Sequence, residues 1–492
     1  MVTNDFLYGL TGCVVTPFNR VYNKARQGYN RAKQAYPLVI VYCRNKRDVS
    51  NAVKWSRKHQ VPLRVRSGGH NYEGYSNGDC TLVIDISKMN GMRIDKGKNR
   101  LYAQGGVTNR QVYEFVSSKG YPFPGGTCPT VGVSGYALGG GWGLSCRYLG
   151  LGCDSLQQIE MVNYEGDIIK ANRKDHSDLF WACCGAGGGN FGVIVSMVFK
   201  LPPPVDKVTL IEIDYLHTSS KEQELFLYTW QEWLKTADNK ITLISRIYNS
   251  ESDGLSMLVR GIFYGEPEEA KLIVEKFLAL SCAAYNFEYL TFLEAVTIIG
   301  SAYPPSEKFQ SASRFVLTDI YENKISEIVG LIREPPQGSV FVGISMYALG
   351  GKVSKVGIND TAFFYRNAKY IIWLETIWEE NQYAEENMEW IRENYPCLEA
   401  DTQGSYVNFP YGEIKNYLEE YYGCHVRALT KIKMKYDPCN VFTFPQGIKK
   451  AAPYSKLTLT APWVSDIGDE NAAKQSNRVN HRGFRYVSQK FK

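Results

Sequence analysis

The chain has 492 residues, 44% hydrophobic and 22% charged, with a net charge of +6 at pH 7; that is the profile of a soluble globular protein with room for two or three cored domains. Its basic residues are scattered, which argues against nucleic acid as a partner, and no run of eighteen apolar residues offers a membrane span. Twelve cysteines without a Cys-x-x-Cys pair and six widely separated histidines argue against a disulfide scaffold or a zinc centre.

Met1-Val2-Thr3-Asn4-Asp5-Phe6 carries no secretory pattern, so a cytoplasmic location is expected. Residues 38–43 predict a buried strand, and Asp48 predicts the cap of a helix with Val49, Ala52, Val53 and Ser56 on one face. Residues 62–65 and 82–86 predict two more strands. This β-α-β opening is not a dinucleotide-binding unit, because Arg44-Asn45-Lys46-Arg47-Asp48 stands where Gly-x-Gly-x-x-Gly would be needed. Residues 101–103 predict a strand, and Val112, Phe115 and Val116 a helix face that stops at Gly120. Residues 159–163 and 168–169 predict a hairpin around Glu165-Gly166-Asp167. Residues 193–201 close a first domain, and Pro202-Pro203-Pro204 marks its boundary.

Beyond that boundary, strand-like runs at 209–215, 256–263 and 340–346 alternate with helical runs at 221–235 and 267–280, the latter opening on a proline suited to a first helical turn. Residues 375–395 also predict a helix, and the alternation suggests a separate α/β layer. Residues 451–492 hold +4 of the net charge and read as a solvated basic tail, with a docking or homo-oligomer arm as the other reading.

Two loops carry chemistry: Arg66-Ser67-Gly68-Gly69-His70-Asn71-Tyr72 and Gly125-Gly126-Thr127-Cys128-Pro129-Thr130-Val131-Gly132. Small residues let backbone N–H groups approach a pyrophosphate closely, and a nucleophilic imidazole and thiol set in such loops suggest a cofactor held covalently. Gly139-Gly140-Gly141-Trp142-Gly143, Gly185-Ala186-Gly187-Gly188-Gly189-Asn190-Phe191-Gly192 and Tyr436-Asp437-Pro438-Cys439-Asn440-Val441-Phe442 follow. In this order and spacing the chain resembles, over residues 35–450, the berberine-bridge-enzyme-like (glucooligosaccharide-oxidase-like) FAD-linked oxidases of the vanillyl-alcohol-oxidase superfamily.

The resemblance implies an α+β protein. Residues 1–204 would hold a PCMH-type FAD-binding domain of two α/β subdomains (about 34–203). Residues 205–409 would form a substrate domain with an antiparallel sheet backed by helices, and residues 410–450 a segment returning to the FAD domain. It further implies FAD linked as 8α-histidyl at His70 and 6-S-cysteinyl at Cys128, and no metal. Other cofactor-binding positions carried over are Arg66, Ser67, Gly68, Gly69, Asn71, Val131, Gly132, Gly135, Gly139, Gly140, Gly143, Asn190, Gly192, Ile194 and Asn408.

Two positions depart from the family pattern. Relatives often carry arginine where Cys184 stands, which removes one charge contact. Relatives also carry Tyr-x-Asn-Tyr with the second tyrosine as base, whereas this chain reads Tyr406-Val407-Asn408-Phe409. Phe409 cannot move a proton. Tyr72 and Tyr347 are the first replacements to consider, followed by Tyr406 and Glu375; a tyrosine base, with an ordinary pKa near ~10, needs a partner that lowers it or shares its proton. Val131, three residues after Cys128, goes with oxidase behaviour in relatives. The expected activity is oxidation of an alcohol group of a carbohydrate or secondary metabolite by hydride transfer to flavin N5. Its partners would be a small-molecule or oligosaccharide substrate and dioxygen. A dehydrogenase or oxidative cyclase using another acceptor, and a flavin-binding module with reduced catalysis, are the competing readings.

Overall fold

The computed structural model describes residues 5–281 and 283–450; the basic tail read at 451–492 lies outside the described residues. The first sheet holds β1 (Cys13–Val15), β2 (Val39–Tyr42), β3 (Leu63–Arg66) and β4 (Leu82–Asp85) in the order β1-β2-β4-β3, parallel across β2-β4-β3. Val39, Ile40, Val41, Leu82, Val83 and Ile84 are all fully buried, as strands covered on both faces require, which is why they read as continuous apolar runs. The helix Lys46–His59 buries Val49, Ala52 and Val53 as expected. Its cap, however, is Asn45 and not Asp48: the extended Asn45 accepts from the N–H groups of Arg47 and Asp48 at 2.9 and 3.1 Å. The Asp48 carboxylate instead accepts from the Thr11 hydroxyl (2.7 Å) and the Arg44 N–H (2.9 Å).

The second sheet is antiparallel throughout. It holds β5 (Met92–Asp95), β6 (Arg100–Gln104), β7 (Leu156–Val162), β8 (Ile168–Asn172) and β9 (Val193–Lys200) in the order β5-β6-β9-β7-β8. The β7–β8 hairpin turns at Gly166, whose φ of 83° suits glycine.

The third sheet has seven antiparallel strands: β10 (Val208–Tyr215), β11 (Ile241–Ser250), β12 (Gly254–Phe263), β13 (Ala284–Leu290), β14 (Phe309–Val316), β15 (Ser339–Ala348) and β16 (Tyr370–Trp378). Their order is β13-β10-β12-β11-β15-β16-β14. Helices Ser220–Thr236 and Ala384–Glu399 pack against it, and Phe226, Trp230 and Trp233 are buried beneath the first of them. The alternating pattern read as an α/β layer is therefore an antiparallel sheet backed by helices, the arrangement that the resemblance implied.

Residues 375–395 are a correction. The stretch splits between the end of β16 and the helix Ala384–Glu399, so Glu375 and Trp378 stand on a strand. Tyr-Ile-Ile-Trp-Leu-Glu-Thr-Ile-Trp is buried on both faces and shows no alternation, so periodicity could not separate it from a helix. The helix expected at 267–280 is likewise broken at Val274 into Pro267–Ile273 and Glu275–Leu278. No helix among the described residues is long and apolar enough to cross a membrane.

The chain then returns to its first half. From the helix Val426–Tyr436, Lys433 Nζ donates to the Asn190 carbonyl (2.7 Å), the Phe442 carbonyl (2.6 Å) and Asp437 Oδ2 (2.7 Å), and both charged side chains are 0% exposed. Asp437 also accepts from the N–H groups of Val441 and Phe442. Removing one member of such a buried pair strands the other charge in a low-dielectric site, so Lys433→Met is expected to lower the unfolding free energy by about 3–5 kcal/mol. Urea unfolding followed by circular dichroism measures this.

Candidate active site

The site begins where β3 ends. Arg66 is buried and pairs with Asp85 on β4 (Nε–Oδ2 2.6 Å). It therefore anchors the root of the 67–72 loop and does not line the cavity, contrary to its expected place among the cofactor contacts. The chain then crosses the second loop at contact distance. A Cβ on Gly68 would overlap the Gly132 nitrogen and stand 2.7 Å from the Thr130 carbonyl oxygen; one on Gly132 would overlap Ser67 Oγ and stand 2.6 Å from the Gly68 nitrogen. Only glycine at both positions allows the crossing.

The crossing brings the two nucleophiles to one hydroxyl. His70 Nε2 lies 2.8 Å from Thr130 Oγ1, and Cys128 Sγ lies 3.6 Å from the same atom. Enclosure by protein pulls the His70 imidazole down to about 4, so it is neutral near pH 7. Burial pushes the Cys128 thiol up, while the Thr130 hydroxyl and the backbone N–H groups of Thr130 and Val131 draw it back. Tyr29 stacks on His70 with ring centroids 4.3 Å apart and donates to Glu307 Oε2 at 3.2 Å.

These loops form one wall of a cavity of about 580 Å³, within the range of cofactor and substrate sites. Ser67, Gly68, Gly69, His70, Asn71, Cys128, Val131, Gly132 and Gly135 all line it, as do Asn190, Gly192, Ile194 and Asn408. Asn71 shapes its loop by accepting from the Glu73 and Tyr75 N–H groups. Gly135 meets nothing within 4 Å where a Cβ would stand, so a side chain there would project into open space. A glycine-lined wall with closely approached backbones fits a flat, phosphate-bearing cofactor such as FAD. Gly139, Gly140 and Gly143 do not line the cavity; they press on Asn408, Phe363 and the Gly125 carbonyl instead. No group of His, Cys, Asp or Glu among the described residues is arranged to hold a metal ion.

The third sheet forms the opposite wall. Its register sets Arg246 of β11 beside Ser345 of β15, and Ser345 beside Trp373 of β16. Arg246 Nε donates to Ser345 Oγ (2.8 Å), and Nη2 stands 3.1 Å from Glu375 Oε1. That pair is an ion pair without hydrogen-bond alignment, and Oε1 has no hydrogen-bond partner. Glu375 is 4% exposed; burial outweighs Arg246, with a smaller contribution from Glu307, and raises its carboxyl to about 7.

The three tyrosine candidates also line the cavity. Tyr72 stacks on Phe409 (5.4 Å, 11° between planes) and Trp373 (5.8 Å), and Tyr347 sits edge-on to Trp142 (4.7 Å). Burial pushes both phenols well above their ordinary value. The Tyr406 hydroxyl accepts from the Gly141 and Trp142 N–H groups and from Asn408 Nδ2, each at 3.0 Å, which ties up its lone pairs. Thr130 lay within a loop already singled out. Tyr29, Arg246, Glu307 and Trp373 had no local signal, because only the sheet register and the fold of residues 29–31 bring them here.

The family described as "FAD binding domain" matches residues 37–172, and that described as "Berberine and berberine like" matches residues 405–449. An uncharacterized FAD-linked oxidoreductase of Bacillus subtilis is 36% identical over 445 residues, covering 89% of this chain and 97% of the relative. The chain belongs to the berberine-bridge-enzyme-like FAD-linked oxidoreductases. As a member of that family it is an FAD-dependent oxidoreductase. Reticuline oxidase of Eschscholzia californica is 27% identical over 500 residues, 90% of this chain and 89% of that one. A chitooligosaccharide oxidase has the same fold, with a TM-score of 0.82 at 24% identity over 90% of this chain and 98% of that one.

In this berberine-bridge-enzyme-like chain the loop crossing can be tested directly. Gly132→Ala is expected to cost about 1–3 kcal/mol through overpacking and to lower the flavin-to-protein absorbance ratio. Gly330→Ala, where a Cβ meets nothing within 4 Å, should change neither.

Proposed function

We propose that this flavoprotein is an oxidase acting on an alcohol group of a carbohydrate or secondary metabolite, with Glu375 as the base that takes the hydroxyl proton. The observation that carries the base assignment is Glu375 itself: buried in the cavity wall, with Oε1 free of hydrogen bonds and its carboxyl raised to about 7. A base works best with a pKa near the operating pH. The tyrosines are poorer candidates, since a phenol pushed up by burial must lose its own proton before accepting another. Tyr72 and Tyr347 then orient the substrate, while Tyr406 holds the Gly141–Trp142 backbone and Asn408.

His70 and Cys128 would hold FAD here, and the flavin would supply hydride acceptance from the substrate carbon and electron transfer to dioxygen. Thr130 prepares both attachment residues. In the tautomer that donates Nε2–H to Thr130 Oγ1, the Nδ1 lone pair is left free to bond, and a Thr130 hydroxyl donated to Cys128 Sγ offsets part of the rise that burial imposes on the thiol. Val131, on the cavity wall beside Cys128, supports dioxygen as acceptor through the resemblance. Phe409 joins the aromatic wall and leaves proton transfer to Glu375.

Acid-precipitated protein should stay yellow. His70→Ala and Cys128→Ala should each keep one link, and the double variant should release its flavin to the supernatant; release from the unmutated chain overturns the tether.

The base has its own test in anaerobic stopped-flow reduction with a substrate found by screening. Glu375 is protonated below pH 7 and ionised above, so the reduction rate should rise with pH through about 7 and then level. Glu375→Gln should slow reduction by about 10²–10⁴ and remove that rise, with flavin content unchanged. Tyr72→Phe and Tyr347→Phe should each slow it by less than about tenfold, the scale of one lost hydrogen bond. Peroxide formation matching substrate oxidised supports the oxidase; reduction without oxygen consumption supports a dehydrogenase or cyclase.

A further inference from the structure

One cavity-lining cation has no counter-ion among the described residues. Arg64, on β3 two residues before Arg66, lines the cavity. Its Nη1 donates to the Leu63 carbonyl at 2.9 Å and to the Thr443 carbonyl. Its Nε is buried without a hydrogen-bond partner, and Nη2 makes none among the described residues. No described carboxylate lies within ion-pair distance of the guanidinium, whereas Arg66, Arg314 and Arg366 are paired with Asp85, Glu420 and Asp154. Arg147 also lacks an acid partner, but all three of its nitrogens donate to carbonyls. Burial disfavours the charged form of Arg64, and a guanidinium does not deprotonate in proteins. Withdrawing a cation from water without a partner is costly, so the site calls for an anion.

The ligand can be narrowed by where the carboxylates stand. The three that line the cavity are Glu212, Glu307 and Glu375, all contributed by the third sheet or the segment entering β14. The wall that holds Arg64 is built from β3, residues 75–76 and residues 442–446, with no acidic side chain on the cavity, and it runs directly into the Ser67-Gly68-Gly69 loop. Nη2 is the guanidinium nitrogen left to meet a ligand, and an Arg N–H to a phosphate oxygen is a charge-assisted hydrogen bond. We propose that Arg64 is a cofactor-positioning residue that binds the diphosphate of FAD through Nη2. This rests on FAD as the cofactor and not on its covalent attachment.

The test is equilibrium dialysis against FAD and against riboflavin, which lacks the diphosphate. It is run on the chain as purified if acid releases the flavin, and in the His70→Ala/Cys128→Ala background otherwise, so failure of the tether does not affect it. Arg64→Met should weaken FAD by about 10–100-fold, the scale of a charge-assisted hydrogen bond, and riboflavin by less than about threefold, well within that scale. Arg64→Lys, which keeps the charge but not the guanidinium, should fall between native and Arg64→Met. An FAD affinity within about threefold of native, or equal losses for FAD and riboflavin, overturns the proposal and leaves Arg64 a prop for the Thr443 segment. If Arg64→Met does not fold, Arg64→Lys decides: a lower FAD-to-riboflavin selectivity supports the proposal, and an unchanged one overturns it.

Discussion

The contact between the Gly68 and Gly132 backbones is the constraint on which the rest of the site depends. Two loops, rooted in different sheets' neighbourhoods, cross where neither has room for a methyl group. Arg66 holds the root of the first loop through Asp85. Asn109 holds the second by donating from Nδ2 to the Cys128 carbonyl at 3.0 Å. Because both loops are pinned, His70, Thr130 and Cys128 meet at one hydroxyl. The C-terminal return braces the neighbouring glycine-rich loop in the same way, through Lys433 on the Asn190 carbonyl and the Ile448 N–H on the Asn190 side chain.

The opposite wall works by burial instead of close approach. Seven strands in antiparallel register present Arg246, Tyr347, Trp373 and Glu375 to one cavity. The ion pair to Arg246 would by itself hold the Glu375 carboxyl low; the surrounding aromatic wall removes water and wins, leaving it near neutral. The same desolvation moves the tyrosines away from base chemistry. One physical cause thus separates the carboxylate from the tyrosines, which the sequence reading places first.

Arg64 and Arg66 show how little a residue's type says about its task. Both lie on β3, two residues apart. One is neutralised by Asp85 and belongs to the scaffold; the other has two carbonyl contacts, no acid among the described residues, and a place on the cavity lining. The difference lies entirely in what β4 and the 442–446 segment bring to each.

The sequence by itself determined the family and the glycine-lined wall, because those depend on local chemistry. Glycine is required wherever backbones touch, and a histidine and a cysteine set among small residues carry their meaning within a few positions. It also determined most first-half strands, whose apolar runs were bounded by turn residues. The tertiary structure alone decided the other wall. Glu375 was read as helical because a strand buried on both faces has no period-two signal, and its carboxyl chemistry depends on Arg246, which is 129 positions away in sequence and adjacent only through the β11–β15–β16 register. Arg66, Gly139, Gly140 and Gly143 were assigned to the cofactor from the motif; packing placed them behind the wall. A motif specifies which residues gather, and only burial and register specify which of them face the cavity.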